Sequence, residues 1–126
     1  MISKGYVGLF KEELTEKRIR QCVAVWLDRF DRVEQVCGGG NGALTMQISS
    51  SQDVMMESHQ QFRVLMGSDF TWVYLTQNRR VMETTGLPAE EISLCLDVLL
   101  ELPGILEIID HSNDKRLDQL EKEGLM

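Results

Sequence analysis

Asp69-Phe70-Thr71-Trp72-Val73-Tyr74-Leu75-Thr76-Gln77-Asn78-Arg79-Arg80-Val81-Met82-Glu83-Thr84-Thr85 carries two periods at once. Phe70, Trp72 and Tyr74 alternate as the residues of a half-buried strand do, while Phe70, Val73, Tyr74, Gln77 and Val81 keep the spacing of a helical face. The residues after Thr85 tip the balance to helix. Gly86-Leu87-Pro88-Ala89-Glu90-Glu91 offers a helix stop, a turn and a new start, with proline in the first turn and two carboxylates at the positive end of the helix dipole. A second helix is therefore expected from about Pro88 to Leu102, with Ile92, Cys95, Leu96 and Leu99 on one face and Leu100 broadening it.

From Arg79 to Leu96 the spacing of Met82, Gly86, Ile92 and Cys95 resembles a helix-turn-helix: glycine lets the chain reverse while Val81, Leu87, Ile92 and Cys95 close the angle between two helices. Ile105-Leu106-Glu107-Ile108-Ile109 comes after Pro103-Gly104 and is rich in β-branched residues, so a strand is predicted there. Together, residues 70–112 are similar to the winged-helix superfamily, with that strand as the first of a wing. The sequence departs from the family pattern at Met82, where a small residue is usual, and at Thr85, where an apolar one is common. The resemblance implies that the helix from Pro88 is the one offered to a partner. Its exposed side would show Glu90, Glu91, Ser93 and Asp97, and carboxylates facing phosphates repel them. Glu90, Glu91 and Asp97 are thus the expected partner-binding residues, and the expected partner is a protein with a basic surface. The alternative is a DNA-binding transcriptional regulator; it requires Arg79, Arg80 and Lys115 to cluster.

Toward the N-terminus, Leu14, Ile19, Cys22, Val23, Trp26, Phe30, Val33 and Cys37 recur three or four apart and predict one long helix over residues 11–36. The glycine-rich run at 38–42 ends it and reads as a linker, since no GxxxxGK spacing is present. Leu44, Met46 and Ile48 alternate with Thr45 and Gln47, as a short strand would. Ser50 followed by Asp53 resembles a capping box and predicts a helix from Ser51 to about Met66, with Met55, Phe62, Leu65 and Met66 inward. Residues 113–126 are expected to form a terminal helix or tail. The stretch Asp110–Glu121 has oxygens at calcium-loop positions, but Lys115 stands where the turn needs glycine, so a polar loop leading into a helix is preferred.

The fold expected from these elements is mainly α with a small β component: one domain spanning 1–126, packed around the 11–36 helix with Trp26, Phe30, Phe62, Trp72 and Tyr74 in the core. With 126 residues, 43% of them apolar, such a core needs neither disulfides nor metal. Thirteen Lys and Arg against twenty Asp and Glu leave a net charge of −7. Residues 1–68 balance 8 against 8, whereas residues 69–126 hold 5 basic and 12 acidic residues, so all the excess acid is in the second half. That disfavours nucleic acid as the main partner. No window reaches the roughly 18–20 apolar residues of a membrane span, and no secretory signal is visible, so an intracellular protein of cytoplasm or nucleus is expected. Cys22 and Cys95 read as core residues and Cys37 as the exposed thiol, with only His59 and His111 available as bases. Neither a cofactor nor a metal site is expected. The reading is a non-catalytic interaction or assembly module, with a homodimer as one form; an enzyme whose groups meet only in three dimensions is the remaining alternative.

Overall fold

The computed structural model describes residues 4–37, 44–56, 61–66, 69–75, 80–87 and 92–125. Along the chain run β1 (Lys4–Phe10), α1 (Glu16–Arg29), β2 (Arg32–Cys37), β3 (Leu44–Ile48), a 3-10 turn (Ser51–Asp53), β4 (Gln61–Met66), β5 (Asp69–Leu75), β6 (Val81–Leu87), α2 (Ile92–Glu101), β7 (Ile105–Asp110) and α3 (Asp114–Lys122). The strands form one antiparallel sheet in the order β3-β2-β4-β5-β6-β1-β7. The expectation of a mainly α fold is overturned: this is an α/β fold built on a sheet.

The departure from expectation begins at residues 69–75, which are the middle strand of the sheet, with Val73 opposite Phe62 of β4 and Thr84 of β6. Residues 81–87 form the next strand, so no helix enters the corner expected at Gly86 and the helix-turn-helix is not formed. The period-of-two signal was the physical one. The competing helical spacing arises because apolar residues three and four apart also occur by chance in a strand that is apolar on both faces.

Two further helices expected from the sequence shorten. Thr15 caps α1, its side chain accepting from the Arg18 N–H at 3.2 Å, and the helix stops at Arg29. Beyond Asp31 the chain turns into β2, so the 11–36 helix is a helix followed by a strand. Val33 and Cys37 mimic helical spacing because positions 33, 35 and 37 share one side of a strand, with Gln35 occupying the middle place. The capping box at Ser50 and Asp53 does form, but it opens only one 3-10 turn, and residues 61–66 are strand rather than helix. The short strand at 44–48, the strand at 105–110 and the terminal helix at 114–122 stand as expected. Residues 38–42 lie outside the described residues.

Alternation along each strand decides what each face of the sheet carries. One face presents Tyr6, Phe10, Val33, Ile48, Phe62, Val64 and Met82 to α1 and α2, which contribute Ile19, Cys22, Val23, Trp26, Cys95, Val98 and Leu99. Trp26 and Phe62 are both buried there, and Phe30 packs at the margin. Trp72 and Tyr74 sit on β5, whose side chains lie outside the description. The opposite face is closed at the β6-β1-β7 end, where Val7, Leu9, Val81 and Ile109 meet Leu117, Leu120 and Leu125 from α3 and the residues after it. Farther along that face Glu34, only 6% exposed, lies between Arg32 at 2.8 Å and Arg63 at 3.5 Å. A buried carboxylate flanked by two guanidiniums explains how β2 tolerates charge in mid-sheet. Inside, Gln35 donates to the Met55 carbonyl at 2.7 Å and accepts from the Met55 N–H at 2.9 Å, fastening the segment after the 3-10 turn onto β2.

Candidate interaction surface

The last 34 described residues make one unit at one side of the molecule. Among the described strands β7 is terminal, paired with β1. α2 leads into it through Pro103-Gly104, where Gly104 takes φ +84°, a left-handed conformation that favours glycine. α3 leaves it through a tight turn: the Asp110 carboxylate accepts from the Ser112 N–H at 2.9 Å and hydroxyl at 2.8 Å, and Asn113 caps the helix by accepting from the Arg116 N–H at 3.2 Å. The first two of these bonds engage the Asp110 and Ser112 oxygens of the calcium-loop pattern, and its later positions, from Asp114 on, lie along a helix rather than around a loop. Among the described residues no three His, Cys, Asp or Glu side chains come together in a way that could hold a metal.

Residues 92–125 contain Asp97, Glu101, Glu107, Asp110, Asp114, Asp118, Glu121 and Glu123 against Lys115, Arg116 and Lys122, a net −5 of the chain's −7. Besides Asp110, Glu107 is tied to Arg116 at 2.8 Å and Glu101 to Arg29 of α1 at 3.0 Å. Asp97, Asp118 and Glu121 are exposed. The same unit exposes two large apolar side chains, Leu100 at 64% and Leu106 at 56%. Of the expected partner-binding residues, Asp97 is thus an exposed residue of α2, whereas Glu90 and Glu91 lie outside the described residues. What the sequence did not reveal is the placement of β7, whose position at the sheet edge is a property of topology and leaves no mark in Ile105–Asp110.

The Arg116 guanidinium, hydrogen-bonded to the Glu107 carboxylate, holds that carboxyl below the ordinary carboxylate range. A depressed folded-state pKa stabilises the fold above the pKa of the unfolded carboxylate, and the contribution disappears as pH falls through the folded value. An NMR titration of Glu107 is expected to give a midpoint below that of an unpaired glutamate, moving up in Arg116→Ala. A midpoint indifferent to Arg116 would show that the pair does not persist in solution.

Of the residues that a DNA-reading surface would bring together, the two described, Arg80 and Lys115, lie at opposite ends of β1. Arg80 lies at the Phe10 end of β1, its Nε donating to the Phe10 carbonyl at 3.0 Å. Lys115 sits in the first turn of α3, beyond the Asp110 end of β7, which pairs with Tyr6 at the other end of β1. Arg79 lies outside the described residues.

Among the described residues, the thiol and the imidazole singled out for catalysis, Cys37 and His111, lie at the ends of different strands. Cys37 Sγ is 3.8 Å from Met55 Sδ, a thioether that takes no proton. Five strand spacings, about 24 Å, separate β2 from β7. His111 lies just past β7, 3.6 Å from Glu83. His59 lies outside the described residues. Burial pushes the Cys22 thiol up to about 12, against the opposing pull of Arg18, and Cys95 is buried too. With a thiol reagent on the native protein, Cys37 is expected to react first and Cys22 and Cys95 only on unfolding. Early modification of Cys22 would contradict its placement. Two surface clefts, of about 620 Å³ beside Arg20 and Ser51 and about 330 Å³ beside Thr15 and Gly104, are lined by charges of both signs.

No helix among the described residues is long and apolar enough to cross a membrane. Comparison with protein-family models, with curated proteins and with solved structures finds no match to this chain.

Proposed function

We propose that this chain is a non-catalytic interaction module that engages a protein with a basic surface through its acidic α2-β7-α3 end. The observation that carries the reading is the coincidence, on one contiguous unit, of eight acidic against three basic residues with exposed Leu100 and Leu106. Apolar side chains bordered by like charge suit an interface in which desolvated contacts supply affinity and the charges supply selectivity and approach rate. In this reading the acidic contact surface expected from the sequence is carried by α2, β7 and α3 together.

The test is anisotropy with a labelled peptide of about eight residues alternating valine and lysine, set against one alternating valine and glutamate. The lysine peptide is expected to bind and to weaken as salt shortens the Debye length to about 8 Å at physiological ionic strength. The triple variant Asp97→Lys, Asp118→Lys, Glu121→Lys should weaken it at least tenfold. Equal binding of the two peptides, or indifference to charge reversal, would overturn the reading. So would tight, salt-sensitive binding to duplex DNA at physiological ionic strength, which would restore the regulator alternative.

A further inference from the structure

The geometry points to a site for a soft monovalent cation, Cu(I), held between the sulfurs of Cys37 and Met55. It lies at the β3-β2 side of the sheet, away from the acidic α2-β7-α3 unit, and is independent of the reading given to that unit.

Cys37 ends β2, and its Sγ lies 3.8 Å from Sδ of Met55, 18 residues further along the chain. The backbone sets up this approach. Gln35, 1% exposed, donates to the Met55 carbonyl at 2.7 Å and accepts from the Met55 N–H at 2.9 Å, so both polar groups of the Met55 backbone are fastened to β2. Gln35 and Cys37 are alternate residues of one strand and share its side, which brings the thioether of the fastened residue beside the thiol. Met46 stands directly across from Gln35 on β3 and shares that side too, and Met56 follows Met55; both pack half-buried against the helix-side core. Cys37 thus does not stand alone: this corner gathers one thiol and three thioethers.

The spacing suits a single ion bonded to both sulfurs. With metal–sulfur bonds of about 2.3 Å, as zinc makes to thiolates, a separation of 3.8 Å gives a sulfur–metal–sulfur angle of about 110°. The donor types then choose the metal. Zinc sites draw on Cys, His, Asp and Glu, and among the described residues no three of these come together. A thiolate joined by thioethers selects Cu(I), the softer ion. On binding, the Cys37 S–H gives its proton to solvent as its sulfur bonds to the metal, and Met55 Sδ adds a lone pair. Copper enters and stays as Cu(I), so no oxidant or reductant takes part. Met55, 45% exposed, is the side of the pair that meets solvent, whereas Cys22 and Cys95 are buried.

Anaerobic titration of the native protein with Cu(I) buffered by bicinchoninate tests the assignment, with native mass spectrometry reading stoichiometry and a thiol reagent reading Cys37. One equivalent of Cu(I) is expected to bind and to slow modification of Cys37 at least tenfold, while zinc at the same concentration does not. Met55→Leu, a volume-conserving change at an exposed position, should weaken Cu(I) at least tenfold with the thermal midpoint unchanged, and Cys37→Ser should abolish the site. Protection by zinc equal to that by Cu(I), or a Met55→Leu protein that keeps full affinity, would reduce the feature to a single reactive thiol and overturn the inference. So would Cu(I) that fails to protect Cys37, that binds Cys37→Ser undiminished, or that binds only once unfolding exposes Cys22 and Cys95. None of these outcomes bears on the peptide measurements that test the acidic surface.

Discussion

Trp26→Ala is expected to lower the unfolding free energy by about 3–5 kcal/mol, the usual range when a large aromatic is truncated in a packed core. Trp26 is 2% exposed on the inner face of α1, and its ring lies 5.3 Å from that of Phe62 on β4 at an angle of 58°. This is the tilted arrangement that aromatic pairs prefer. Truncation removes the ring's buried area and leaves a cavity that a rigid sheet cannot close, because Phe62 and Val64 are fixed by backbone pairing on both sides of β4. Against a total stability of about 5–15 kcal/mol, that is a large fraction. In thermal unfolding it corresponds to a fall of roughly 10–25 °C for a domain of this size. Trp26→Phe keeps an aromatic ring against Phe62 and should cost less than half as much. A loss under about 1 kcal/mol for Trp26→Ala would mean that α1 is not seated on the sheet through this residue.

The position of Trp26 was legible in the sequence, and the reason is local. Ile19, Cys22, Val23 and Trp26 repeat at helical spacing over several turns, Thr15 supplies a cap, and each signal concerns neighbours within one element. The same logic found β3, β7 and α3. It failed where two adjacent elements kept a common spacing by accident, as Val33 and Cys37 did after α1, and where a strand held polar residues inside the sheet. Glu34 and Gln35 of β2 are both buried, one between Arg32 and Arg63 and the other clamped to Met55. Their partners are up to 29 residues away, so in sequence they read as the solvent side of a helix. The candidate surface divides in the same way. Its charge was visible by counting, and Asp97 was picked out; that β7 would be a terminal strand was not, because β1, from the other end of the chain, inserts between β6 and β7. The pair Glu107 and Arg116, nine residues apart, joins a strand to a helix and matches no within-element spacing.

The sharpest consequence of the sheet concerns β5. Val73→Pro is expected to destabilise the whole protein by at least about 3 kcal/mol, through a lost ladder bond, a buried carbonyl left without its donor, and a ring that clashes in mid-sheet. The position matters more than the residue. β5 is the fourth strand of seven and alone joins the β3-β2-β4 half to the β6-β1-β7 half, with Val73 facing Phe62 on one side and Thr84 on the other. α1 packs against residues from both halves, including Val33 and Phe62 from one and Phe10 and Met82 from the other, so separating them should unseat the helix as well. The expected result is a single collapse of helical circular dichroism and of tertiary fluorescence at a much lowered midpoint. Had residues 69–85 been the first helix of a peripheral two-helix unit, proline there would break that unit and leave the Glu16–Arg29 helix on its own core, giving two separated transitions. A Val73→Pro protein that retains its cooperative transition, or that loses structure only locally, would be incompatible with β5 as the strand that closes the sheet.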